Sequence, residues 1–64
     1  MNYQLNQIYR NHESNYYLVV SVNSRYLQLK NLGTGCIINP STNSVFLDYC
    51  TLIGTTDSHP ELLI

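Results

Sequence analysis

Two stretches of alternating residues stand on either side of Asn23-Ser24, and they constrain this chain more than anything else in it. The first is Tyr16-Tyr17-Leu18-Val19-Val20-Ser21-Val22; the second is Arg25-Tyr26-Leu27-Gln28-Leu29-Lys30-Asn31. A period of two is what a half-buried strand requires, because successive side chains leave the backbone on opposite faces. Both runs are rich in the β-branched and aromatic residues that suit a pleated surface. Joined by two polar residues, they predict an antiparallel hairpin, with Asn23 taking a positive φ in the turn. Leu27 and Leu29 then face the core, while Tyr26, Gln28 and Lys30 face away. In the first strand Tyr16, Leu18, Val20 and Val22 are expected on the core face, with Tyr17, Val19 and Ser21 opposite.

The remaining segments supply short strands around that hairpin. Leu32-Gly33-Thr34-Gly35 is a second turn, and Cys36 to Asn39 a short strand that Pro40 ends, since proline cannot donate to a ladder. Ser41 to Ser44 is a polar loop. Val45 to Ile53 suits either one strand or a helical turn followed by a strand. Gln7 to Arg10 is expected to be the first strand, and Asn11 to Asn15 a polar loop. No helical period runs through the chain. Four to five short strands with turns every eight to ten residues predict an all-β fold, and a small closed barrel is expected because closure removes exposed edges. The barrel is expected over residues 1–53, with a tail over residues 54–64. In the tail, Ser58-His59-Pro60-Glu61 has capping-box spacing, but only Leu62, Leu63 and Ile64 follow, too few for a stable helix alone. The apolar end either docks on a surface or frays.

Sixty-four residues make one domain with a thin stability margin. Charged residues are 11% of the chain, against about 25% in ordinary soluble domains. Neutral side chains, Asn above all, must therefore supply the polar surface. Arg10, Arg25 and Lys30 are the only basic residues, and the net charge is −1. Three cations make no broad basic footprint for phosphate backbones, and four scattered acids make no nucleic-acid mimic. No segment approaches the roughly 20 apolar residues of a membrane span. Met1 to Gln7 is polar and unlike a signal peptide. A cytoplasmic location is the default expectation, with Cys36 and Cys50 as reduced thiols.

Little in the chain has the pattern of chemistry. Cys36 and Cys50 lack any CxxC or HxxxH partner spacing, and inert, buried thiols are the expectation over a disulfide or a metal site with His12 and His59. His12 and Glu13 adjoin in a loop, where side chains normally face water, and His59 belongs with the tail. No serine, cysteine or threonine has a recognisable base and orienter. Gly33-Thr34-Gly35 is too short for a phosphate cradle and has no following lysine. No catalytic residue, metal or cofactor is therefore assigned, and an enzyme is not expected.

Gln7-Ile8-Tyr9-Arg10, the hairpin Tyr17 to Leu32, and the Thr34-Gly35 turn with Phe46 and Tyr49 beyond it together resemble the SH3-like small β-barrel superfold. The likeness is to the small barrels found in prophages and bacterial accessory genes, and it covers about residues 5–53. There is no Trp and no acidic loop, so proline-rich peptide binding is not carried over. The resemblance implies that ligands meet the loops and Tyr-bearing faces. Six tyrosines in a chain poor in charge fit a protein-binding surface, because Tyr gives wide, stiff contact area at modest entropic cost. The expected partner-binding set is Tyr9, Arg10, His12, Tyr17, Arg25, Tyr26, Gln28 and Lys30. The expected function is a protein-binding module, a phage-type or mobile-element accessory that modulates a larger complex. Two competing expectations are single-strand nucleic-acid binding by aromatic stacking and self-assembly through an edge strand or the tail.

Overall fold

The alternating runs pair as an antiparallel hairpin in the computed structural model, which describes residues 3–63. Its strands are β1 (Gln7–Arg10), β2 (Tyr16–Val22), β3 (Leu27–Asn31), β4 (Ile37–Ile38) and β5 (Thr51–Thr55). A one-turn helix, α1 (Val45–Asp48), precedes β5, and a 3-10 helix (Pro60–Leu63) follows it. The strands form one antiparallel sheet in the order β4-β3-β2-β1-β5. The apolar run Val45 to Ile53 is thus a helical turn followed by a strand.

The sheet is open, which corrects the expectation of a closed barrel. β4 and β5 are its edges and do not pair among the described residues. The cause is local. Pro40 cuts β4 to two residues, and the chain beyond it makes one isolated bridge, Ser41 to Tyr26, before turning into α1. Edges left open invite pairing with other chains, and each is blunted. β4 is very short. On β5, the Ser58 hydroxyl accepts from the Thr55 amide at 2.9 Å, and the Thr55 carbonyl accepts from the Ser58 and His59 amides at 3.1 and 3.0 Å.

A β-bulge in β2 decides which residues are inside. Val19 pairs with Leu29, but the next pair is Ser21 with Gln28, so Val20 is an extra residue. Up to Val19 the odd positions face inward; after Val20 the parity changes and Val22 pairs with inward-facing Leu27. The core is accordingly Tyr17, Val19, Leu27, Leu29 and Leu47, with Tyr3, Tyr9, Ile38 and Phe46 packed against it. This reverses the expected faces of the first hairpin strand. Tyr17 and Val19 are inside; Tyr16 and Leu18 are half-buried on the other face, and Val20 is exposed. Leu27 and Leu29 lie inside as expected.

Two further details of the hairpin differ from expectation. The loop between β2 and β3 has four residues, Asn23 to Tyr26, closed by the Asn23 amide donating to the Tyr26 carbonyl at 3.1 Å. Asn23 does not take a positive φ; its Oδ1 instead accepts from the Arg25 amide at 3.0 Å, an Asx-type turn. Ser44 caps α1, its hydroxyl accepting from the Phe46 amide at 3.1 Å. The cap fixes Leu47 and Phe46 beneath the sheet, and the Phe46 ring meets the Tyr17 ring edge-on at 5.4 Å.

Ile8 is fully buried yet stands outside that core. It alternates with Tyr9 and so lies on the opposite, outer face, level with Leu18 on one side and Gly54 on the other. The tail folds back beside it. A Cβ on Gly54 would come within 2.5 Å of the Ser58 hydroxyl and 2.6 Å of the His59 ring, and the Gly54 φ of 153° also favours glycine. His59 Nε2 lies 3.0 Å from the Ile53 carbonyl oxygen, which only accepts, so Nε2 carries the proton. The start of the tail is therefore docked, and β5 runs two residues past the boundary expected at Ile53.

Candidate functional site

The register divides the expected partner-binding residues between two faces. Tyr9 and Tyr17 are cross-strand partners on the inner face. Tyr17 is 7% exposed, which corrects its expected place on the outer surface; the Val20 bulge could not be seen in a strand lacking glycine. Tyr9 is half-buried, its ring 5.6 Å from that of Tyr3 and its hydroxyl donating to Gln7 Oε1 at 2.9 Å. Burial, with Tyr3 and Cys50 nearby, pushes the Tyr9 phenol above its ordinary 10.0. Both rings serve the core.

Arg10, Tyr26, Gln28 and Lys30 lie outward, but not together. Arg10 pairs with Tyr16 at the start of β2, which faces the far end of β3, whereas Tyr26 precedes β3. The five residue-to-residue steps from Tyr26 to Asn31 span about 17 Å at strand rise. The expected single surface is therefore two corners of one face.

At the first corner Tyr26, 41% exposed, lines a shallow groove of about 400 Å³ with Gln28, Asn39 and Ser41. The Tyr26–Ser41 bridge holds the two rims together. Lys30 is paired with Ile37, and both side chains are exposed. Arg25 is exposed at the hairpin tip, where its carbonyl accepts from the Thr42 amide at 3.0 Å.

At the second corner Arg10 and His12 meet Tyr49, Thr51 and Ile53 around a cleft of about 260 Å³. The His12 and Tyr49 rings are 5.1 Å apart. Tyr49 and Thr51 were not singled out as site residues; they arrive there because α1 and β5 are placed by long-range pairing that no local pattern reveals.

A third cleft, about 460 Å³, opens at the hairpin tip on the inner side. Gln4, Asn23, Ser24, Thr42 and Asn43 surround Leu27 there, and no charged side chain lines it. The signal in the sequence is the asparagine-rich loops, whose composition reads equally as solvated surface.

Cys36 is exposed, against the expectation of a buried thiol, because it sits in the turn before β4. Cys50 is half-buried, its thiol donating to the Phe46 carbonyl at 3.5 Å and pushed above its ordinary 9.0 by desolvation. Among the described residues no three His, Cys, Asp or Glu side chains gather as a metal site, and no helix is long and apolar enough to cross a membrane.

Comparison with protein-family models, with curated proteins and with solved structures finds no match for this chain. What the fold and clefts define is a small all-β protein with one five-stranded antiparallel sheet and a cleft at each of two outward-facing corners.

Proposed function

We propose that this chain is a protein-binding module of SH3-like plan that docks a partner protein on the outer face of β3 and β4. The observation that carries this reading is the Tyr26 groove: an exposed ring beside Gln28, Asn39 and Ser41, with Ile37 and Lys30 extending the same surface. A half-exposed aromatic in a shallow groove with an adjacent aliphatic and a cation has the chemistry of an interface anchor. A sheet whose last strand returns to flank the first, after a helical turn, supports the SH3-like plan. The phage-type or mobile-element accessory role that the resemblance implies belongs to the same proposal and draws on the small size and sparse charge.

Affinity in this reading comes from burying Tyr26 and Ile37, with Lys30 or Arg25 setting orientation. The immobilised chain, presented with lysate of the cell that makes it, should retain a protein whose capture Tyr26→Ala weakens by about tenfold, the effect of losing about 1.4 kcal/mol of contact. Circular dichroism of the variant should be unchanged. If Tyr26→Ala combined with Ile37→Ser leaves capture intact, the groove is not the docking surface.

A further inference from the structure

The corner holding Arg10 is built more firmly than a solvated loop requires. Asn11 is 5% exposed, the one buried polar residue among those described. Its Oδ1 accepts from the Glu13 and Asn15 amides, both at 2.9 Å, and its own amide donates to the Asn15 carbonyl at 3.0 Å. That clamp holds Ser14 at φ 66°, a left-handed conformation costly for a residue with a Cβ. The strained position brings the Ser14 hydroxyl to 2.8 Å from Arg10 Nη2, and the hydroxyl accepts its hydrogen bond. A cation is thus fixed at the rim of a cleft whose other walls are the paired rings of His12 and Tyr49, the Thr51 side chain and Ile53.

Among the described residues no acid forms an ion pair with that cation. The one contact between a basic and an acidic side chain among the described residues is His59 Nδ1 with Glu61 Oε1 at 3.3 Å, in the tail. Glu13 is exposed in the loop, and Asp48 lies close enough to Tyr3 to help raise its phenol, on the inner side of β1. Arg10 keeps four N–H groups beyond the one given to Ser14, in the planar fork that matches an oxyanion. Tyr49 and Thr51, whose hydroxyls are donors that need no charge, line the same cleft, and the rings and Ile53 offer apolar wall.

From this geometry we infer that the cleft formed by Arg10, His12, Tyr49 and Thr51 is a binding site for a single oxyanion group, carboxylate or phosphate monoester, attached to an apolar or aromatic body. The guanidinium takes the oxyanion, Thr51 and Tyr49 donate to its remaining oxygens, and the body packs on Ile53 and the paired rings. Ser14 is a positioning residue that holds the fork at the rim. The site lies at the opposite end of the sheet from the Tyr26 groove and stands whether or not that groove docks a protein.

The test is a two-dimensional NMR titration of the full chain with benzoate, phenyl phosphate and the neutral benzamide. Benzoate or phenyl phosphate should give saturable shifts at Thr51, Tyr49, His12 and the Arg10 side chain, and the stronger of the two names the oxyanion. Benzamide should bind at least about tenfold more weakly. Arg10→Gln should weaken the anion by a similar factor with spectral dispersion intact, as Arg10 is exposed, and Ser14→Ala should weaken it less. Failure of both anions to saturate, equal binding of benzamide, or unchanged binding by Arg10→Gln would each overturn the assignment.

Discussion

At the scale of single residues, the groups that hold this domain together are distinct from those that face outward, and the difference is a matter of burial. Tyr17, Val19, Leu27 and Leu29 contribute about 1.5–3 kcal/mol each on being buried. A domain of this size has a total stability of roughly 3–10 kcal/mol, so losing one of them is serious. Tyr3, Tyr9 and Cys50 add a pH dependence. Desolvation raises all three above their unfolded values of 10.0, 10.0 and 9.0. The folded state then holds protons that the unfolded state has released, and stability falls as pH rises. Urea unfolding should give a flat midpoint to about pH 8, a decline from near 9 as unfolded Cys50 ionises, and a steeper one near 10 with the tyrosines. Cys50→Ala should remove the first part of the decline and leave the second.

At the scale of elements, the sequence carried the strands and lost the irregularities. Gln7–Arg10 and the β2–β3 pairing were legible because alternation and β-branched runs are local signals. Leu27 and Leu29 were placed inward correctly for the same reason. Tyr17 was misplaced because a single extra residue at Val20 changes the parity of a strand, and Val20 looks like any strand valine. The edge at β5 was illegible because Gly54 through Ser58 has a linker's composition, whereas its hydrogen bonds are those of a strand end and a tight turn. Gly54 is the residue that permits the tail to close. Gly54→Ala should destabilise the domain by about 1–3 kcal/mol, through an unfavourable φ and displacement of Ser58 and His59. The amide of His59 should then exchange faster with solvent than in the native chain. Unchanged unfolding and exchange would mean that the tail is not held against β5.

For the molecule as a whole, one sheet has two faces with different duties. The inner face is filled by α1 and the core rings; the outer face is covered at Ile8 and left open at its two corners. The candidate sites were partly legible. Tyr26, Gln28, Lys30, Arg10 and His12 were picked out by residue type and lie outward, but their separation into two corners depends on register between strands distant in sequence. The third cleft, at the hairpin tip, needed the approach of residues 41–43 to the loop between β2 and β3. The division of the tyrosines between the faces is the claim from which the rest follows. A neutral paramagnetic cosolute added during NMR reports it directly, by broadening the ring signals that solvent reaches. Tyr26 and Tyr49 should broaden strongly while Tyr17 stays sharp; a Tyr17 ring attenuated as much as that of Tyr26 would contradict the bulged register and the two-faced sheet built on it.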